Sequence, residues 1–167
     1  MNKKTTKKVA FMGLFFALAI VLSFLENLIP PMPNGIKPGL SNIAVMYVLF
    51  FVDIGSAYIM AILKAGFALV SRGIVAGLMS LAGGIISVSV MALFIKIGGK
   101  KISYLLLSVL GGISHNAGQI TMACFIMKSS YLIYYFPVLF ISGIIMGVIT
   151  GISLKFLMPY LDKISIK

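Results

Sequence analysis

Long apolar runs separated by short polar, glycine-rich or proline-rich stretches set the pattern of this chain. The runs cover residues 9–28, 40–52, 55–71, 78–95, 102–127 and 136–157. A helix needs about 20 apolar residues to cross a hydrocarbon core about 30 Å thick. Most of the runs approach or exceed that length. The run 40–52 is short for a full crossing, so it tilts or extends into the stretch before it. The pattern predicts an all-α integral membrane protein: one domain, a six-transmembrane-helix bundle.

Composition agrees. Of 167 residues, 60% are hydrophobic and only 10% are charged, too few charges for a water-soluble domain of this size. The net charge of +11 would suit a nucleic-acid binder. The lysines instead cluster between apolar runs, with no basic stripe and no interleaved aromatics, so no nucleic-acid partner is expected. The N-terminal MNKKTTKK lacks a small-residue cleavage site downstream and reads as the start of a retained first span. Six crossings place both termini on one side. Ten cations then fall on that side, at Lys3, Lys4, Lys7, Lys8, Lys96, Lys100, Lys101, Lys155, Lys163 and Lys167. Lys37, Arg72 and Lys128 fall on the other, and Lys64 falls within a span. The excess of cations predicts a multi-pass protein of the cell membrane with both termini in the cytoplasm.

The polar residues inside the apolar runs are the candidate site. His115, Asn116 and Gln119 lie in the run 102–127, and His115 is the chain's single histidine. His115 and Gln119 are one helical turn apart and share a face, with Asn116 adjoining. In lipid such groups must find partners, either as glue between helices or as the lining of a polar cavity. Lys64 sits near the middle of its run, where a lysine costs about 2.5–3.5 kcal/mol on insertion scales, so it is expected to be paired or wetted. Arg72 follows two turns later, placed for the mouth of a site or for interfacial anchoring. Asn42 opens its run, where a helix cap is the simpler reading and a ligand contact the other. Lys37 is the one charge in IPPMPNGIKPG, residues 29–39, whose prolines exclude a helix and suggest a stiff lid at the membrane surface.

Small residues mark close approaches. Gly13 and Ala17, four apart, let another helix approach the first span, in this chain or a partner. Gly83-Gly84 with Ser80, Ser87 and Ser89, and the strip Gly143, Gly147 and Gly151, read as packing surfaces. Cys124, the single cysteine, reads as a packed small hydrophobe. KSSYLIYY, residues 128–135, reads as an interfacial loop, and Pro159 as the end of the last span.

Catalytic chemistry is harder to assemble. No phosphate-binding Gly-x-x-x-x-Gly-Lys loop is present. Glu26, Asp53 and Asp162 are the only carboxylates and lie far apart in sequence, which excludes a paired-acid mechanism or a magnesium–diphosphate site of clustered aspartates. His115 has no Cys or carboxylate near it in sequence for a triad or a metal. The chain is therefore expected to be no enzyme, without catalytic residues, metal or cofactor. Lys64 and Arg72 can attract anions, and His115, Asn116 and Gln119 can hydrogen-bond a polar head, so binding is the chemistry available.

Three stretches carry a family resemblance: Glu26 through the prolines to GIKPGLSNIAVMY, Leu81-Ala82-Gly83-Gly84, and the Gly-Gly-x-x-His-Asn-x-Gly-Gln motif of residues 111–119. They resemble the small six-helix proteins of the Gx transporter family, also described as heptaprenyl diphosphate synthase component I. In size and layout that family is similar to the substrate-binding S components of energy-coupling factor transporters. The resemblance implies a membrane subunit that binds a small ligand from outside, beneath its first loop. It implies a partner module of two ATPases and a transmembrane coupling protein. By position, Gly13 and Ala17 would form the docking face, with glycine in place of the first alanine of the usual Ala-x-x-x-Ala. The expected function is thus an S-component-like subunit whose small anionic or polar-headed ligand is held by Lys64, His115, Asn116 and Gln119. Lys37 and Arg72 would lie near the mouth, and Asn42 is a further ligand-binding candidate. The rival expectations are a non-catalytic accessory subunit of prenyl diphosphate or quinone synthesis, and a ligand-free assembly protein.

Overall fold

The computed structural model describes residues 3–28, 40–98 and 102–162. Among them run six α-helices: α1 (Lys3–Asn27), α2 (Asn42–Phe51), α3 (Ile54–Arg72), α4 (Ile74–Gly98), α5 (Tyr104–Met127) and α6 (Phe136–Asp162). A short 3-10 turn, Ser130–Tyr135, leads into α6, so residues 128–135 are more ordered than the expected loop. Each predicted apolar run forms one of these helices, and no strand occurs among the described residues. Four segments are long and apolar enough to cross a membrane: Thr5–Glu26, Ile54–Arg72, Ile74–Gly98 and Ser130–Phe156. Of the other two helices, α2 has ten residues, a rise of about 15 Å. α5 is 24 residues long, but the polar stretch from Ser114 to Gln119 lowers its apolarity.

The packing follows from where the small residues fall. The buried face of α3 is Ser56, Ala57, Met60, Ala61, Lys64, Ala65 and Ala68, an alanine stripe at helical spacing with one lysine in it. Gly84 of α4 meets this stripe: a Cβ there would lie 3.0 Å from Ala61 Cβ. The strip on α6 seats α5, since a Cβ on Gly147 would stand 2.5 Å from Val109 Cα and one on Gly151 2.8 Å from Leu105 Cα. Such approaches leave room for glycine alone and bring the backbones into dispersion contact, the main attraction between helices in lipid. α2 is buried from Asn42 to Leu49 and packs within the bundle, its Tyr47 stacked on Phe15 of α1 at 5.6 Å. Cys124 is half-buried beside the apolar cluster of Met79, Ile120, Ala123, Leu132 and Leu139.

Two boundaries differ from expectation for identifiable reasons. α4 begins at Ile74, not residue 78, because Gly73 adopts φ +91° and turns the chain in a single residue. Pro159 does not end α6, which runs to Asp162. A proline so near a helix end frees few carbonyls, and water at a membrane surface can satisfy them.

The turns define two ends of the bundle. Lys8 of α1 forms an ion pair with Asp53, which caps α3, at 2.7 Å. Tyr104 at the start of α5 packs edge-on against Phe50 at the end of α2, ring centroids 5.0 Å apart. This end collects Lys7, Lys8, Lys96 and Lys155. The other end holds Glu26, Leu40, Ser41, Arg72 and the tyrosine-rich turn, where Tyr131 and Tyr134 are exposed.

Candidate functional site

Four helices bring polar groups together inside an otherwise apolar bundle. Lys64, at the centre of the α3 stripe, is 5% exposed, and its Nζ donates to Asn42 Oδ1 at the start of α2. Asn42 therefore does not cap its helix. Ser41 occupies the cap position, and its own side chain makes no capping bond. Ser41 turns its hydroxyl elsewhere, donating to Glu26 Oε2 at 3.2 Å. Glu26 also accepts from the backbone N–H of Leu40 and is 2% exposed. Its negative charge acts on Lys64, as does the positive charge of Arg72. A buried lysine is costly unless hydrogen-bonded and offset by opposite charge. Here the Asn42 amide supplies the first, while Glu26 acts on Lys64 without forming an ion pair with it.

His115 on α5 lies within reach of the Lys64 charge. The ring is 1% exposed and packs on Gly83 of α4, where a Cβ would lie 2.8 Å from Cε1 and Nδ1. Gln119 Nε2 stands 2.9 Å from His115 Nε2, one turn along the same face. An amide N–H donating to Nε2 leaves the hydrogen on Nδ1. Nδ1 faces the backbone of Gly83 without reaching hydrogen-bond geometry. Gly118 completes this crossing, its α-carbon side pressed on Gly83 Cα, 2.9 Å from where a Cβ would be. The Leu-Ala-Gly-Gly stretch and the His-Asn-x-Gly-Gln motif are thus two sides of one contact.

Asn116 is fully buried but serves a different interface. Its Nδ2 donates to Leu139 O of α6 at 2.8 Å, so it ties α5 to α6. Polar atoms nonetheless remain buried without a partner: Gln119 Oε1, Asn116 Oδ1, Ser108 Oγ and Arg72 Nε. Arg72 is half-buried at the C-terminal end of α3, eight residues beyond Lys64. Lys37 and the proline-rich stretch lie outside the described residues. Gly13 and Ala17 are exposed, and nothing lies within 4 Å of a Cβ built on Gly13, so none of the described residues packs on Gly13. Among the described residues, no group of three or more His, Cys, Asp or Glu side chains could hold a metal ion.

Sequence reasoning overlooked Glu26. The signal was available: with three carboxylates in the chain, a lysine at membrane depth has few counter-charges to choose from. Glu26 ends its span at the same end as the start of α2.

An all-helical bundle with four helices long and apolar enough to cross a membrane, and with charged and amide side chains buried among its helices, is membrane-like in kind. The model of the family described as heptaprenyl diphosphate synthase component I matches residues 15–157. The chain belongs to that family. No curated protein matches the sequence.

Proposed function

We propose that this protein is a small-ligand-binding membrane subunit of S-component type, with all six helices embedded in the bilayer. The observation that carries this reading is Lys64, buried at the centre of an apolar helix face and bonded to Asn42, in a bundle that also buries the His115–Gln119 pair. Helix packing alone does not call for so costly a group, since apolar residues of similar volume are often at least as stabilising. The cation bias puts the lysine-rich end in the cytoplasm. Glu26, Ser41 and Arg72 then mark the outer end. A small ligand with an anionic or carbonyl-rich head enters from that end to reach Lys64. The head takes over the Lys64 ammonium and meets the Arg72 guanidinium and the Gln119 amide. Gly13 and Ala17, exposed on α1, offer the face for a coupling protein that works with two ATPases.

Mass spectrometry of small molecules retained after gentle purification, together with the proteins that accompany the chain, tests this directly. A polar or anionic compound is expected, depleted roughly tenfold or more in Lys64→Ala and in His115→Ala. Equal retention in both variants and the parent removes the site. The second reading, a non-catalytic accessory subunit of prenyl diphosphate synthesis, is favoured by the family's description. Co-purification of a soluble prenyl synthase in place of ATPases would support it.

A further inference from the structure

The Lys64 cluster carries an excess of positive charge. Lys64 and Glu26 are buried, and half-buried Arg72 acts on Lys64 from the same end as Glu26. Two cations and one carboxylate leave one positive charge over. Among the described residues no second acidic side chain is buried to offset it. A net charge enclosed at low dielectric is costly. A bound group that brings the sum to zero is therefore favoured over one that undershoots or overshoots.

The same cluster holds an acceptor without a donor. His115 Nδ1 faces the backbone of Gly83. Gly83 lies inside α4, where its N–H is committed to the preceding turn, so Nδ1 meets the carbonyl there. The ring hydrogen accordingly belongs on Nδ1, and Nε2 is the acceptor. Gln119 must then turn its amide nitrogen toward Nε2, at 2.9 Å. That leaves Gln119 Oε1 buried without a partner, on a side chain only 8% exposed. An unmet buried acceptor is rare and costly. α5 starts at the lysine-rich end, so Gln119 lies one turn beyond His115, toward the end that carries Glu26 and Arg72.

Resting on the binding role given to Lys64 above, we propose that the ligand is a small monoanionic carboxylate with an uncharged hydroxyl or N–H beside the charge. Gln119 selects that donor, and His115 is the positioning residue that orients Gln119. The carboxylate meets Lys64 and cancels the excess charge, while the hydroxyl or N–H donates to Gln119 Oε1. A carboxylate brings one charge at neutral pH, whereas a phosphate monoester brings about 1.5–2 and overshoots. A neutral molecule leaves the excess standing.

The test uses the full chain in phosphatidylcholine nanodiscs at neutral pH. His115 is the chain's single histidine, so an isotope label in its ring reports on this site alone by nuclear magnetic resonance. Four two-carbon probes are titrated: glycolate (one charge, one hydroxyl), acetate (one charge, no donor), oxalate (two charges) and glycolamide (a hydroxyl, no charge). Glycolate should bind at least roughly tenfold tighter than each of the others. Gln119→Met should cost glycolate roughly tenfold and acetate far less. Glu26→Gln keeps an acceptor for Leu40 and Ser41 but leaves two charges in excess, and oxalate should then overtake glycolate. Loss of binding in Lys64→Met places the probes at the cluster. If oxalate or acetate matches glycolate in the parent, the inference is overturned while anion binding at Lys64 stands. If glycolamide matches glycolate, or no probe moves the ring signal, both fall. The comparison of probes in the parent depends on no variant folding, and unchanged melting temperatures establish that losses in the variants are not unfolding.

Discussion

Lys8 and Lys64 each donate to a side-chain oxygen, and almost everything else about them differs. The Lys8–Asp53 pair is nearly half exposed on both sides and sits at the bundle's end. Lys64 is buried between helices and donates to Asn42, with the Glu26 charge acting on it from beyond ion-pair distance. Water screens the first pair, so it contributes little and tolerates change. No water screens the second, so each partner is needed once the other is present. The end of the bundle uses charge to fix a turn and an orientation. The interior carries a cation that folding alone would dispense with, and this contrast supports a binding role for it.

The sharpest way to break the comparison is to remove Glu26. Glu26→Ala frees the Leu40 N–H and the Ser41 hydroxyl and removes a negative charge that acts on Lys64, an expected loss of about 2–3 kcal/mol. Adding Lys64→Met to that variant should recover part of the loss. Unfolding by graded denaturing detergent measures both, and additive losses in the pair would refute the coupling. Gly83→Val comes next, at about 1–3 kcal/mol, because its side chain drives into the His115 ring. Nuclear magnetic resonance of a ring-labelled His115 should show the ring displaced and its contact with Gln119 lost.

The exposed end should respond less. Asp53→Ala removes both the α3 cap and the Lys8 pair, about 1 kcal/mol for the cap and at most about 1 for the pair. Lys8→Ala removes the pair alone and should cost less than Asp53→Ala in the same denaturation assay. The smallest effect is a dependence on pH. Hydrogen bonding from Lys8, then from Ser56, holds the Asp53 carboxyl below its usual value. A lowered folded-state value means the stabilisation is complete above the unfolded value of about 3.9 and is lost as pH falls through the folded one. Melting temperatures of the parent and Asp53→Asn should therefore converge below about pH 4. A difference that grows on acidification would reverse the sign and discredit the pairing.

The helices were legible because lipid imposes one rule on every residue of a span: stay apolar, or find a partner inside. Uninterrupted apolar runs therefore reported six helices, and the isolated polar residues within them reported where partners had to be. Smaller local rules failed. Pro159 lay too near a helix end to stop it, and Gly73 turned the chain faster than the hydropathy pattern suggested. Asn42 was read as a cap because its position allowed one. Its actual bond depends on Lys64, 22 residues away.

By itself, then, the sequence determined the class of protein, the number of helices and the short set of side chains that lipid cannot solvate. Hydropathy is a property of each residue and its near neighbours, so it needs no fold to be read. Which of those side chains meet was decided only in three dimensions. Glu26, Asn42, Lys64 and Gly83 lie on four helices, and their distances depend on how glycine and alanine faces let those helices close. Asn116 and His115 are adjacent in the chain, yet one bonds α6 and the other packs on α4, because consecutive helical residues point about 100° apart.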